Sequence, residues 1–126
     1  MNRQTIFDWV KKQYGTDPEY PWRDHNAVLR HDDNQKWYGV ILEIGMDKLG
    51  LTDRDLVDVL NVKCDPNLIG LLRTKPGFHP AYHMNKEKWI SVRLDGSVPV
   101  EEIENLIAQS FELTKAKKKK CVQKSY

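Results

Sequence analysis

The sequence is poor in cysteine, in long apolar runs and in the short motifs that mark most enzymes. Its 126 residues contain only Cys64 and Cys121, the second within a lysine-rich tail. That usage argues against a disulfide scaffold and for a reducing, cytoplasmic setting. The longest apolar stretch, Tyr38 to Met46, is interrupted by Glu43 and falls far short of the ~20 residues a membrane-spanning helix needs. Met1 to Thr5 leads into an amphipathic pattern, not a secretory apolar core. Gly45 to Gly50 lacks the Lys-Ser/Thr ending of a phosphate loop, and there is no Gly-x-Ser-x-Gly elbow. Cys64 alternates with Leu60 and Val62, which reads as a small buried hydrophobe and not a nucleophile. No catalytic residue and no cofactor are expected.

Metal ligands are also thin. His79 and His83 have the i,i+4 spacing of a helical zinc pair, but Pro80 between them argues against a helix. On a strand the two rings lie ~13 Å apart, too far to share an ion. Asp53, Asp55 and Asp58 match no calcium loop. No metal is expected.

Charge is unevenly placed. The formal net charge is +2, yet the chain beyond Leu113 holds six lysines and no acid, which leaves 14 basic against 18 acidic residues elsewhere. Within that acidic body, Lys63 to Arg93 runs the other way, with six basic residues against Asp65 and Glu87. A polyanion partner would use this segment or the tail.

Hydrophobic periodicity predicts a helix over residues 2–14, with Ile6, Phe7, Val10 and Tyr14 on one stripe and Gly15 as its stop. Strands follow at Ala27–His31, Lys36–Ile44 and Leu56–Cys64. In the second, Tyr38, Val40, Leu42 and Ile44 are expected to share a face. Asp65-Pro66 caps a short helix to Thr74, with Leu68, Ile69 and Leu72 inward. Strands near Ala81–Met84 and over Lys88–Leu94 come next. The latter sets Ile90, Val92 and Leu94 against Trp89, Ser91 and Arg93. A last helix runs from about Pro99 to Lys117, burying Ile103, Leu106, Ile107 and Phe111. The order α-β-β-β-α-β-β-α, with short turns, predicts one α+β domain over residues 1–114. It is a two-layer sandwich, an antiparallel sheet with helices on one face, followed by a lysine-rich tail over 115–126.

The ordered segments Asn61-Val62-Lys63-Cys64-Asp65-Pro66, Pro76 to Lys86 with Trp89, and Leu94-Asp95-Gly96-Ser97-Val98-Pro99 resemble the MmcQ/YjbR family. Glu19-Tyr20-Pro21-Trp22 is similar to that family's aromatic-proline turn. The resemblance implies a CyaY-like fold and, from the family's usual description, DNA binding through strands and loops arranged as a double wing. Frataxin-like proteins, which share that fold, hold iron on an acidic ridge. Here the first helix carries Asp8 as its only acid, so the residue types for that chemistry are missing.

The densest candidate surface is Lys75 to Arg93. Lys75, Lys86, Lys88 and Arg93 supply cations, Tyr82 and Trp89 supply stacking faces, and His79, His83 and Asn85 supply polar contacts. Nucleic acid takes this mixture, with phosphate bound by cations and bases by rings. The expectation is a non-enzymatic DNA-binding protein of weak affinity. The alternative is an adaptor that holds a protein or small ligand in a concave aromatic pocket formed by Trp22, Trp37, Tyr82 and Trp89. A flat basic face marks the first, a pocket the second.

Overall fold

The structure is a computed structural model that describes residues 1–116. Lys117 to Lys120, Cys121 and Lys124, assigned above to the tail, lie outside the described residues. Three helices, α1 (Arg3–Tyr14), α2 (Pro66–Leu72) and α3 (Val100–Thr114), pack on one face of a five-stranded sheet. Its strands are β1 (Ala27–Arg30), β2 (Trp37–Gly45), β3 (Leu56–Lys63), β4 (Phe78–Pro80) and β5 (Trp89–Arg93). They lie in the order β1-β2-β3-β5-β4, and every pairing is antiparallel. No helix among the described residues is long and apolar enough to cross a membrane.

Local chemistry sets the helix ends. The Asn2 side chain accepts a hydrogen bond from the Thr5 amide, and the Thr5 hydroxyl accepts one from the Asn2 amide, closing a reciprocal cap on α1. Gly15 ends the helix at φ 71°, a left-handed conformation that glycine takes without steric cost. Asp65 caps α2 through the Asn67 amide. Arg3 reaches from α1 to β3 and holds both carboxylate oxygens of Asp58, at 3.0 and 2.9 Å. Such a two-point pair fixes orientation as well as charge.

The sheet has two distinct faces. Ile41, Leu60, Val62, Ile90 and Val92 point into the helix layer, where they meet Ile6, Val10, Ile103, Leu106 and Ile107. Val28, Val40, Leu42, Ile44 and Val59 form a second cluster on the face without helices. In β5 the expected alternation holds, with Ile90, Val92 and Leu94 in the helix layer.

In β2 it does not. Leu29 pairs with Gly39, but Arg30 pairs with Trp37, so Tyr38 is an extra residue opposite β1. One inserted residue reverses the faces of everything on one side of it. Tyr38 therefore turns into the helix layer, away from Val40, and Trp37 joins Val40 on the free face. Burial pushes the Tyr38 phenol up to about 12, and its hydroxyl donates to Thr16 at 2.6 Å. Around it Tyr14 stacks on Phe111 at 3.8 Å, and Phe111 presents its other contacts to Tyr38 and His31.

The β2–β3 ladder ends at Val40 and Asn61, and beyond it the Tyr38 carbonyl and the Lys63 amide are bridged from outside the sheet. Ser110 of α3 does so, donating to the Tyr38 carbonyl at 2.6 Å while accepting from the Lys63 amide at 2.9 Å. One buried hydroxyl thus joins α3 to β2 and β3. One turn further along α3, Thr114 donates to the Ser110 carbonyl and meets His31 Nε2 at 2.8 Å. A donating Thr114 requires His31 to carry its proton on Nε2.

Two further expectations are corrected. Leu68 is 42% exposed and outside the core, because seven-residue α2 turns mainly Ile69 inward, with Leu72 partly covered. Ala81–Met84 is a turn; the strand is Phe78–Pro80, ended by a proline that has no N–H for a ladder. Both outer edges of the sheet are short. On β1, Val28 gives its N–H and C=O to Glu19, and on the far side β4 is three residues long.

Replacing Ser110 with alanine removes the hydroxyl from two buried backbone groups. Urea denaturation of Ser110→Ala is expected to show a loss of ~1–3 kcal/mol; an unchanged midpoint would mean that water replaces the hydroxyl.

Candidate functional site

The helix-free face is covered at one end by two loops. Before β1, the turn carrying Trp22 lies against Trp37 of β2, their rings at 83° and 5.8 Å between centroids. After β4, the segment Ala81–Met84 folds back over the sheet. Its anchor is a buried polar pair, Asn61 of β3 opposite Ser91 of β5. The Ser91 hydroxyl donates to the Asn61 carbonyl oxygen and accepts from the Tyr82 amide at 2.9 Å. The Asn61 amide donates to the Tyr82 carbonyl at 2.9 Å. Both backbone groups of Tyr82 are thereby fixed to the sheet, and its ring packs on the apolar cluster of the free face.

Between the two loops lies a cavity of about 350 Å³. Val40 and Leu42 form its apolar floor, and Trp22, Trp37, Tyr82 and Met84 are among its walls. His83, its ring tilted 50° to that of Tyr82 at 4.0 Å between centroids, and Asn26 complete the lining. Asn26 is occupied elsewhere: its carbonyl oxygen accepts from the Glu43 amide at 2.9 Å, and its amide donates to Asp24. No lysine, arginine or carboxylate lines the cavity among the described residues.

Three non-glycine residues among those described have left-handed backbone: Arg23, Gln35 and His83, at φ 61°, 63° and 61°. They fall beside Trp22, just before Trp37, and beside Tyr82. Such conformations cost free energy that the surroundings must offset.

The nine residues singled out from the sequence are divided by the fold. Tyr82 and His83 line the cavity. Asn85 is exposed and accepts from the Glu87 amide in the turn before β5. Lys86 and Lys88 are exposed on that turn and form no ion pair among the described residues. Trp89 is half-buried opposite Lys63 and is not a wall of the cavity. Lys75 lies at the other side, bonded to Glu102 of α3 and 5.4 Å above the Phe78 ring. Arg93, only 17% exposed at its side chain, is paired with Asp95 at 3.1 Å. Two of the four cations are thus already neutralised.

His79 sits opposite Ser91, with Nε2 buried and unpartnered among the described residues. Desolvation and the nearby Arg93 guanidinium hold its pKa below the ordinary imidazole value, with Asp95 opposing. Cys64 is buried in the helix-layer core, and burial pushes its thiol up, away from nucleophilic character. No group of three or more His, Cys, Asp or Glu side chains among the described residues is placed to hold a metal ion. Asn26, Val40, Leu42 and Met84 are cavity residues that sequence reasoning missed. So is the Asn61–Ser91 pair, whose two polar side chains inside strand patterns were its only signal.

Fold and site together define a two-layer α+β protein with an aromatic cavity on the sheet face that the helices leave free. The chain belongs to the YjbR family, whose family model matches residues 11–113. It is 48% identical over 117 residues to the uncharacterized protein YyaQ of Bacillus subtilis (strain 168), covering 91% of this chain and 99% of that one. A Pseudomonas syringae protein solved by crystallography superposes with a TM-score of 0.89 at 48% identity, covering 91% of this chain and 100% of its own. A Deinococcus radiodurans protein at 22% identity shares the fold, with a TM-score of 0.61 over 94% of this chain and 80% of that one.

Stability should report two desolvated histidines, His31 and the half-buried His79. Desolvation also lowers the pKa of His31. The unfolded chain takes up protons on both rings near pH 6.5, while the folded protein resists until lower pH. Unfolding is therefore favoured as pH falls from about 6.5, by at most ~1.4 kcal/mol per pH unit for each ring. Denaturation between pH 7.5 and 5 should show this loss, with a shallower slope for His79→Gln. An identical slope would place the proton uptake elsewhere.

Proposed function

We propose that this protein is a non-enzymatic binding module whose ligand enters the aromatic cavity between Trp22, Trp37 and Tyr82. The observation that carries this reading is convergence. Three aromatic side chains from two loops and one strand meet over an apolar floor, two of them directly beside a left-handed residue, and a buried hydrogen-bonded pair fixes one of the loops. Apolar concavity with few polar groups is the usual character of small-ligand sites.

Indole, a planar neutral probe, is expected to bind saturably. In NMR titrations it should shift the indole N–H signals of Trp22 and Trp37 but not those of Trp9 and Trp89. Trp22→Ala, at a position already 46% exposed, should weaken binding by roughly tenfold with the fold intact, as expected when one aromatic wall worth about 1–1.5 kcal/mol is removed. Shifts spread over all four tryptophans, or none, would overturn this reading.

A second reading, weak DNA binding, is supported by Lys86 and Lys88, exposed next to the cavity loop and not ion-paired among the described residues. If both contact phosphates, Lys86→Ala with Lys88→Ala lowers the slope of log affinity against log salt by about two. An unchanged slope would remove these residues from any DNA interface.

A further inference from the structure

We infer that the group this cavity takes is a fully alkylated ammonium, an inference that rests on the cavity being a ligand site. Trp22 and Trp37 stand nearly perpendicular, at 83° and 5.8 Å between centroids, and Tyr82 supplies a third ring. Aromatic faces are electron-rich, and rings set at angles around one space attract a cation placed among them.

The lining then selects the kind of cation. A primary ammonium or a guanidinium brings three to five N–H groups that need acceptors, and among the described residues the lining holds no carboxylate and offers them only the Tyr82 hydroxyl and the His83 ring. The carbonyl oxygen of Asn26 is already taken by the Glu43 amide. A quaternary nitrogen has no N–H to satisfy. Its methyl groups match Val40, Leu42 and Met84, and its charge is surrounded mainly by aromatic rings. An anion would find no lysine or arginine among the described residues of the lining.

Longer-range charge points the same way. The Asp24 carboxylate is held beside the cavity by the Asn26 side-chain amide, whereas Glu43 meets Asn26 only through its backbone amide and its carboxylate pairs with His25 at 2.8 Å. Arg23 and Lys36 are sequence neighbours of the two tryptophans, but both are exposed and neither lines the space. Ahead of the lysine-rich tail the chain carries 18 acidic against 14 basic residues. A volume of about 350 Å³ holds a trimethylammonium head with a short stem.

The test compares choline with its neutral tert-butyl isostere, in which carbon replaces the nitrogen. Both are titrated into the full chain at pH 8 and low salt and followed at the Trp22 and Trp37 indole N–H signals. Choline is expected to bind roughly tenfold tighter than the isostere, and Trp22→Ala to abolish most of that preference. A short peptide bearing trimethyl-lysine is the third ligand. Tighter binding of the peptide than of choline assigns the ammonium to a protein side chain, and the reverse assigns it to a free small molecule; both support the inference. Equal or tighter binding of the isostere overturns it and leaves an apolar ligand site. Response to indole but to none of the other ligands overturns it likewise. No response to any ligand, indole included, ends both this inference and the reading beneath it.

Discussion

One unpaired residue in β2 divides the aromatic side chains between the two faces of the sheet. Because Tyr38 has no partner on β1, it turns toward the helices while Trp37, its neighbour, turns the other way. The first becomes the centre of the aromatic contacts among α1, β2 and α3. The second becomes a wall of the cavity. Without the extra residue, strict alternation puts Tyr38 on the free face and Trp37 in the helix layer. The bulge thus builds the core and the candidate site in a single step.

The two layers are held by the same kind of contact. On the helix side, the Ser110 hydroxyl donates to one strand and accepts from the next. On the free side, the Ser91 hydroxyl donates to Asn61 and accepts from the loop above. A hydroxyl can do both because it is donor and acceptor at one atom. Apolar packing sets how close the layers lie, while these bonds set where along the strands they lie. Position matters most for Tyr82, whose ring is useful to a cavity only at one place on the sheet.

Much of the fold was legible in the sequence. Asn2, Gly15 and the stripe Ile6-Phe7-Val10 marked α1, and the uninterrupted alternation of Trp89 to Leu94 assigned both faces of β5. The face of Tyr38 was not legible, since a bulge depends on the register of two strands and leaves no local mark. The turn at Ala81–Met84 was misread as a strand because its backbone bonds go to Asn61 and Ser91, far away in sequence. Three of the four aromatic residues named for a pocket do line one, but Trp89 stands apart beside Lys63. The cations of Lys75 to Arg93 were visible as a run. Their separation followed from Glu102, which only the folding of α3 brings to Lys75, and from Asp95, close in sequence but on a turn that the alternation of β5 did not describe.

The edges of the sheet bear on how copies of this molecule meet. With Val28 already bonded to Glu19 on one side, and three residues ending in Pro80 on the other, neither border offers a ladder that a second chain could continue. The described sheet therefore offers little free backbone for templated growth. Crowded molecules are left with side-chain surfaces as their means of contact, which favours encounters that can be reversed over the ordered stacking from which fibrils grow.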